Sequence, residues 1–180
     1  MSSELPGLDI AGRVRAKDIQ MAAMADVRHR VLMITGAVDV IDHGVAMTLH
    51  LPEPGRWQVI KAETNLTDRT WTAMQIVTDA DTRFVEEADS TVLSRQFARS
   101  FLAPDMRRLT LHHGEVRPGE SVLMSFVLDC ATDEPRYAHS HYIPEAHGSG
   151  DPTSDLEGVI ADGMPQRPML EMSVPVTVVR

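Results

Sequence analysis

The chain has 180 residues, of which 43% are hydrophobic and 24% charged, and its formal net charge at pH 7 is −9. This length and composition suit one domain with a buried core, and they exclude a disordered chain. A surface of negative sign repels phosphate groups, so nucleic acids and anionic membranes are poor partners.

The apolar runs, such as 31–34, are far shorter than the roughly 20 residues that a membrane-spanning helix requires. No basic-then-apolar leader opens the chain. We therefore expect a soluble protein that stays in the cytoplasm or belongs to a particle assembled there. Cys130 is the single cysteine, so a disulfide within the chain is excluded.

The start of the chain predicts an arm and a helix. Residues 1–15 are polar, with Pro6 and Gly7, and are predicted to form an N-terminal arm. The rest, 16–180, reads as a single β-rich domain. Good helix formers between Ala16 and Asp26 predict a short first helix.

After Arg30 the apolar residues recur with a period of two, which is typical of strands. Two runs on either side of the turn residues Asp42, His43 and Gly44 predict a hairpin. The strands predicted up to residue 129 are 31–41 with 45–51 as this first hairpin, 57–63, 71–78, and 109–113 with 122–129 as a second hairpin.

A helix is predicted between these strands and a last strand after them. Ser90 can cap a helix, and the apolar residues that follow at helical spacing carry it to Pro104. At the C-terminus, alternate apolar residues from Leu170 to Val178 predict a strand. Pro175 predicts that this strand lies at a sheet edge, because proline cannot donate a ladder hydrogen bond.

Taken together, these elements predict a mainly β fold. Seven or eight strands with short connections favour an antiparallel β-sandwich or a jelly-roll-like barrel with one or two short helices. Strands and helices do not alternate as they would in a parallel doubly wound sheet. The strand order stays open.

Three of the eight histidines cluster near the C-terminal third of the chain. On a strand over 137–143, His139 and His141 would point to the same face with Cα atoms about 6.6 Å apart. Glu145 or His147 could complete a metal site from the following turn. The alternative is that these residues belong to a solvated loop rich in glycine and proline.

The spacing His-x-His-x-x-x-Glu, formed by His139, His141 and Glu145, resembles the first metal-binding motif of the cupins. Cupins are a jelly-roll family that includes dioxygenases, isomerases and storage or sugar-binding proteins. The resemblance covers seven residues. It implies that these three residues would hold one divalent Fe, Mn or Zn ion.

The long segment 144–168 predicts a protruding loop, which exceeds the roughly 12–15 residues usual for a compact domain. With a terminal arm and an edge strand, it would give the chain three means of contacting other subunits. The alternative without a functional role for the loop is a monomer in which the loop is simply exposed.

These features lead to two hypotheses of function. The first is a non-enzymatic structural or accessory subunit of a larger assembly, such as a virion, a tail or a similar bacterial or phage particle. It would have no cofactor and would act through contacts with other protein subunits, in a homo-oligomer or a multi-subunit assembly. The alternative is a metal-dependent cupin-like enzyme, an oxygenase, isomerase or hydrolase, which uses His139, His141 and Glu145.

Overall fold

A computed structural model describes residues 19–86, 93–148 and 150–180. Its twelve strands form one large curled sheet, which makes a half-barrel. The predicted mainly β class is confirmed, whereas the sandwich or jelly-roll arrangement stays a prediction. The predicted arm over 1–15 lies outside the described residues.

The elements follow one another along the chain as strands, then two helices, then a last strand. The first six strands are β1 (Ile19–Asp26), β2 (Val31–Val38), β3 (Gly44–His50), β4 (Gly55–Asn65), β5 (Ala73–Thr78) and β6 (Thr82–Val85). The next five are β7 (Leu93–Ser94), β8 (Phe97–Leu102), β9 (Arg108–Gly114), β10 (Ser121–Cys130) and β11 (Arg136–Tyr142). The helices α1 (Pro144–His147) and α2 (Pro152–Asp162) precede β12 (Met169–Val179). Within the described ranges, no helix has the length and hydrophobicity needed to cross a membrane.

The sheet consists of two halves that share β12. The strand order is β6-β10-β4-β2-β1-β12-β3-β11-β5-β9-β8, and β7 also pairs with β10. We call the strands from β6 to β1 the first half-sheet and those from β3 to β8 the second half-sheet. The N-terminal part of β12 pairs with β3 and its C-terminal end pairs with β1. One long strand therefore holds both halves in a single sheet.

The predicted edge position of the C-terminal strand is wrong, because β12 lies in the middle of the sheet. Pro175 is the last residue that pairs with β3, opposite His50, and Val176 begins the register with β1. The missing N–H of the proline thus falls where the strand changes partner. A central strand tolerates proline at such a break in its ladder.

Both predicted helices in the first two thirds of the chain are corrected. Residues 19–26 form β1, and residues 93–94 and 97–102 form β7 and β8, whereas residues 16–18 and 90–92 of these predictions lie outside the described residues. In β1, Ile19, Ala23 and Ala25 are buried on one face, which is the period of a strand. The alanine and methionine residues of this segment are also common in helices, which is why its sequence resembles that of a helix.

Neither predicted hairpin forms. β2 pairs with β1 and β4, whereas β3 pairs with β12 and β11. Likewise β9 pairs with β5 and β8, whereas β10 pairs with β4, β6 and β7. The turn between the members of each predicted pair therefore carries the chain from one half-sheet to the other.

The predicted loop over 144–168 contains both helices. Asp151 caps α2 by accepting hydrogen bonds from the backbone N–H groups of Thr153 and Ser154, and proline occupies the first turn. Val159 of α2 packs on Ala73 and Tyr142, which lie on the outer face of the second half-sheet. The helix thus covers β5 and β11 from outside.

The main core lies inside the curl. A single apolar cluster includes Trp57 and Val59 of β4, Met47 of β3, and Leu111 of β9, so both half-sheets contribute to it. β4 and β11 are separated by four strands in the sheet order, but their inner faces meet across this core. That meeting positions the polar cluster described next.

Candidate functional site

Strand β11 places two histidines inside the core. His139 and His141 are two residues apart and therefore share one face of the strand, as predicted. Their exposed fractions are 0% and 4%. β11 pairs with β3 on one side and β5 on the other, so neighbouring ladders fix the position of both rings.

Strand β4 supplies the groups that face these histidines. Lys61 and Glu63 continue the inward series that begins with Trp57 and Val59, and both are fully buried. A period of two turns every second residue of the strand toward the core whatever its chemistry. A lysine and a glutamate therefore lie where apolar side chains would be usual.

The four side chains form one connected cluster. Glu63 Oε2 lies 3.2 Å from Lys61 Nζ and 2.9 Å from His139 Nδ1, and its other oxygen contacts His141 Nε2. Lys61 Nζ also lies 3.0 Å from His139 Nδ1. The carboxylate thus bridges the two imidazoles, with the ammonium group beside them. We call these residues, Lys61, Glu63, His139 and His141, the buried polar cluster.

Aromatic rings enclose the cluster. Trp71 stacks on His141 with ring centroids 3.8 Å apart and planes 19° apart. The ring of Tyr137 lies 5.0 Å from Lys61 Nζ, in a cation–π arrangement. Trp71 is fully buried, and Tyr137 is 4% exposed. These walls separate the charges from water, which strengthens their interactions with one another.

Burial controls the protonation of the cluster. It lowers the pKa of His139 to about 4, since the attraction of Glu63 offsets burial only in part. Burial alone would raise the pKa of Glu63, but its interactions with His139 and then with the Lys61 ammonium group hold that pKa well below its ordinary value. At neutral pH His139 is therefore uncharged, and the lasting ion pair joins Lys61 to Glu63.

Two buried atoms of the cluster lack a well-directed hydrogen bond. They are Glu63 Oε2, in spite of its two close neighbours, and His139 Nε2. A buried polar atom without a directed partner costs free energy, and in a native protein it calls for an explanation. The cluster is therefore held by charge more than by matched donors and acceptors.

The structure unites two of the three ligands suggested from sequence. Atoms of His139, His141 and Glu63 that can bind a metal all lie within 4.8 Å of one another. Glu145 does not belong to this group and is exposed on α1. His147 accepts a hydrogen bond from its own turn, at the Ile143 N–H, and its other nitrogen contacts Arg167. It ties the turn together outside the cluster.

The adjacent His112 and His113, near the C-terminal end of β9, contact each other. The backbone at His113 has φ 59°, which turns its side chain toward its neighbour. The ring centroids are 4.7 Å apart. A left-handed residue in a strand is rare outside glycine, and the sequence gives no local signal for it.

Sequence reasoning missed Lys61 and Glu63. A signal was present, because the alternation that places Trp57 and Val59 inward places these two residues inward as well. Two buried charges at consecutive inward positions indicate mutual pairing or a ligand. The sequence could not predict that these two residues contact β11, because 78 residues separate Lys61 from His139.

A family model described as a family of unknown function (DUF6423) matches residues 21–180, so the chain belongs to that family. No curated protein and no solved structure matches the chain.

Proposed function

We propose that this member of the DUF6423 family is a non-enzymatic structural or accessory subunit of a larger assembly, such as a bacterial or phage particle, and that it acts through protein–protein contacts. The observation that carries the proposal is a patch of uncharged, partly apolar outward residues on the first half-sheet. It supports a protein that works by being bound rather than by turnover.

This surface is formed by uncharged outward residues of four neighbouring strands, none of which is buried. The charged outward residues Asp26, Arg56 and Asp129 border it at one end. We call it the uncharged face. Its residues are Gln20, Ala22 and Met24 of β1, Val31, Met33, Thr35 and Ala37 of β2, Gln58, Ile60, Ala62 and Thr64 of β4, and Ser121, Leu123, Ser125 and Val127 of β10.

The apolar members of the uncharged face lie together. Met24 pairs with Met33, and Met33 pairs with Ile60, so the three form one row across the strands. Their exposed fractions are 37%, 41% and 37%. Leu123, which pairs with Ala62 in the neighbouring row, is 44% exposed. Grouped apolar exposure of this kind marks interaction surfaces.

The partner we propose for the uncharged face is a second copy of this chain. With a net charge of −9, two copies repel each other across most of their surfaces. The uncharged face avoids that repulsion and offers apolar area in its place. Sheet faces of this kind can pack on one another with side chains interdigitated.

The size of the face favours a multi-contact assembly over an isolated tight dimer. Four strands about 4.8 Å apart and about seven residues long, at about 3.3 Å per residue, span about 19 Å by about 23 Å. That footprint of about 440 Å² is smaller than the roughly 800 Å² each partner buries in a standard interface. Association through this face alone should therefore be concentration-dependent.

The experiment measures molar mass by light scattering over a range of protein concentrations. We expect the mass of the wild-type chain to rise with concentration, and the Met33→Lys/Ile60→Lys variant to remain monomeric, because it places two cations in the central row. The matched control is Val77→Lys on β5, which charges an equally exposed residue of the other half-sheet, 41% exposed. It should associate like the wild type. A wild-type chain that stays monomeric, or a double variant that associates equally, would refute the proposal.

The cupin-like metal enzyme, with its jelly-roll arrangement, is the second candidate. The convergence of His139, His141 and Glu63 favours it. Against it, these side chains are only 0–4% exposed, whereas a catalytic metal needs a position open to substrate. Because these ligands are buried, we place the metal enzyme behind the assembly subunit as a candidate function.

A further inference from the structure

We propose that Glu63, His139 and His141 form a binding site for one divalent transition-metal ion, and that the ammonium group of Lys61 competes with the ion for this site. The proposal concerns the interior of the fold and is independent of association through the uncharged face. It begins from the contacts of the buried polar cluster.

The donor set is suited to a particular class of ion. Two imidazoles and one carboxylate bind Zn²⁺, Fe²⁺ and Co²⁺, whereas Ca²⁺ and Mg²⁺ take mainly oxygen ligands. The three side chains come from two strands that the sheet ladders hold in place. Their ligand atoms lie within 4.8 Å of one another. Tetrahedral coordination at about 2.1 Å separates ligand atoms by about 3.4 Å, so small side-chain rotations suffice.

A cation at this position would satisfy atoms that the cluster leaves poorly matched. Glu63 Oε2 is fully buried and lacks a directed hydrogen bond. His139 Nδ1 lies 2.9 Å from that oxygen and 3.0 Å from Lys61 Nζ. As an acceptor of the Lys61 N–H it has no hydrogen left for Glu63 Oε2, and as a donor it would point a hydrogen toward the ammonium group. A positive ion between this nitrogen and oxygen would bind both atoms.

Lys61 now supplies that positive charge. Its Nζ is within 3.2 Å of both Glu63 Oε2 and His139 Nδ1, so it contacts two of the three ligands. A dication in the same dry interior would face the ammonium charge at close range, with only one carboxylate to balance both. Binding therefore requires the ammonium group of Lys61 to move away from these ligands. Removal of its charge should raise the affinity for metal.

The site would be structural. Glu63 belongs to the first half-sheet and the histidines belong to the second, so a bound ion would link the two halves across the core. Trp71 stacked on His141 covers the cluster. An ion held in this way stabilises the folded state by mass action, since the unfolded chain has no preformed site.

The experiment titrates Co²⁺ into the full-length chain, follows its visible ligand-field absorption, and then displaces it with Zn²⁺. We expect one Co²⁺ per chain, and an affinity at least tenfold higher for Lys61→Met than for the wild type. Lys61→Met/His139→Ala should lose the absorption. The control His113→Ala, which removes an exposed imidazole outside the cluster, should bind like the wild type.

Three results would overturn the proposal: equal affinities of the wild type and Lys61→Met, binding that survives His139→Ala, or no absorption from either chain at millimolar Co²⁺. If Lys61→Met fails to fold, the proposal is tested with the wild-type chain and its unfolding temperature. A rise in its unfolding temperature with Zn²⁺ that His139→Ala lacks supports the site. The absence of a rise, or the same rise in both chains, refutes it.

Discussion

The ion pair between Lys61 and Glu63 should be strongly coupled, because both groups are fully buried at 3.2 Å. At an effective dielectric constant of about 20, their attraction is about 332/(20 × 3.2), or about 5 kcal/mol. Desolvation of both charges offsets much of this gain, so replacing the whole pair should cost little. Removing one partner leaves the other charge buried and unpaired. Lys61→Met and Glu63→Gln should therefore each lower the free energy of unfolding by about 3–5 kcal/mol.

The assay is a double-mutant cycle in urea, with unfolding followed by the fluorescence of Trp57 and Trp71, which are both fully buried. The double variant Lys61→Met/Glu63→Gln should be at least about 3 kcal/mol more stable than the sum of the single losses predicts. A control cycle on the exposed pair Glu115–Arg117, 2.6 Å apart, should give a coupling below about 1 kcal/mol. A coupling below about 1 kcal/mol for the buried pair would refute the reasoning.

Two further predictions concern single residues. Burial, with the nearby Asp129 and Asp79, raises the pKa of Cys130 to about 12, so at pH 8 its thiol should react with a disulfide reagent at least about 100-fold more slowly in the folded chain than in urea. Equal rates would show that the thiol is accessible. Asp151→Ala removes the cap of α2 and should lower the free energy of unfolding by about 1 kcal/mol. Glu157→Ala, at an exposed position of the same helix, should stay within about 0.5 kcal/mol of the wild type, and equal losses from both would contradict a capping role.

Local sequence patterns were sufficient to predict a strand where its inward residues are bulky. The strands predicted over 57–63 and 71–78 correspond to β4 and β5, and the last predicted strand corresponds to β12. They failed where alanine and methionine dominate, as in 19–26, because small side chains mark the period of two only weakly. The capped helix α2 was also missed, although Asp151 followed by proline is a helix-start signal.

Pairing between strands could not be obtained from local sequence. Each predicted hairpin joined strands that are close in the chain, but β2 and β3 take separate partners in different halves of the sheet. The position of Pro175 in a central strand likewise depends on the change of partner along β12. Pairing is decided by which apolar faces can be buried together, and that is a property of the whole sheet.

The sequence by itself determined the class of the fold and the common direction of His139 and His141, because backbone geometry turns every second residue of a strand to the same side. Only the tertiary structure decided what those histidines meet. The curl of the sheet brings β4 against β11, and with it Glu63 and Lys61 in place of Glu145. A contact between residues so far apart along the chain depends on how the sheet closes around its core, and no local pattern encodes that closure.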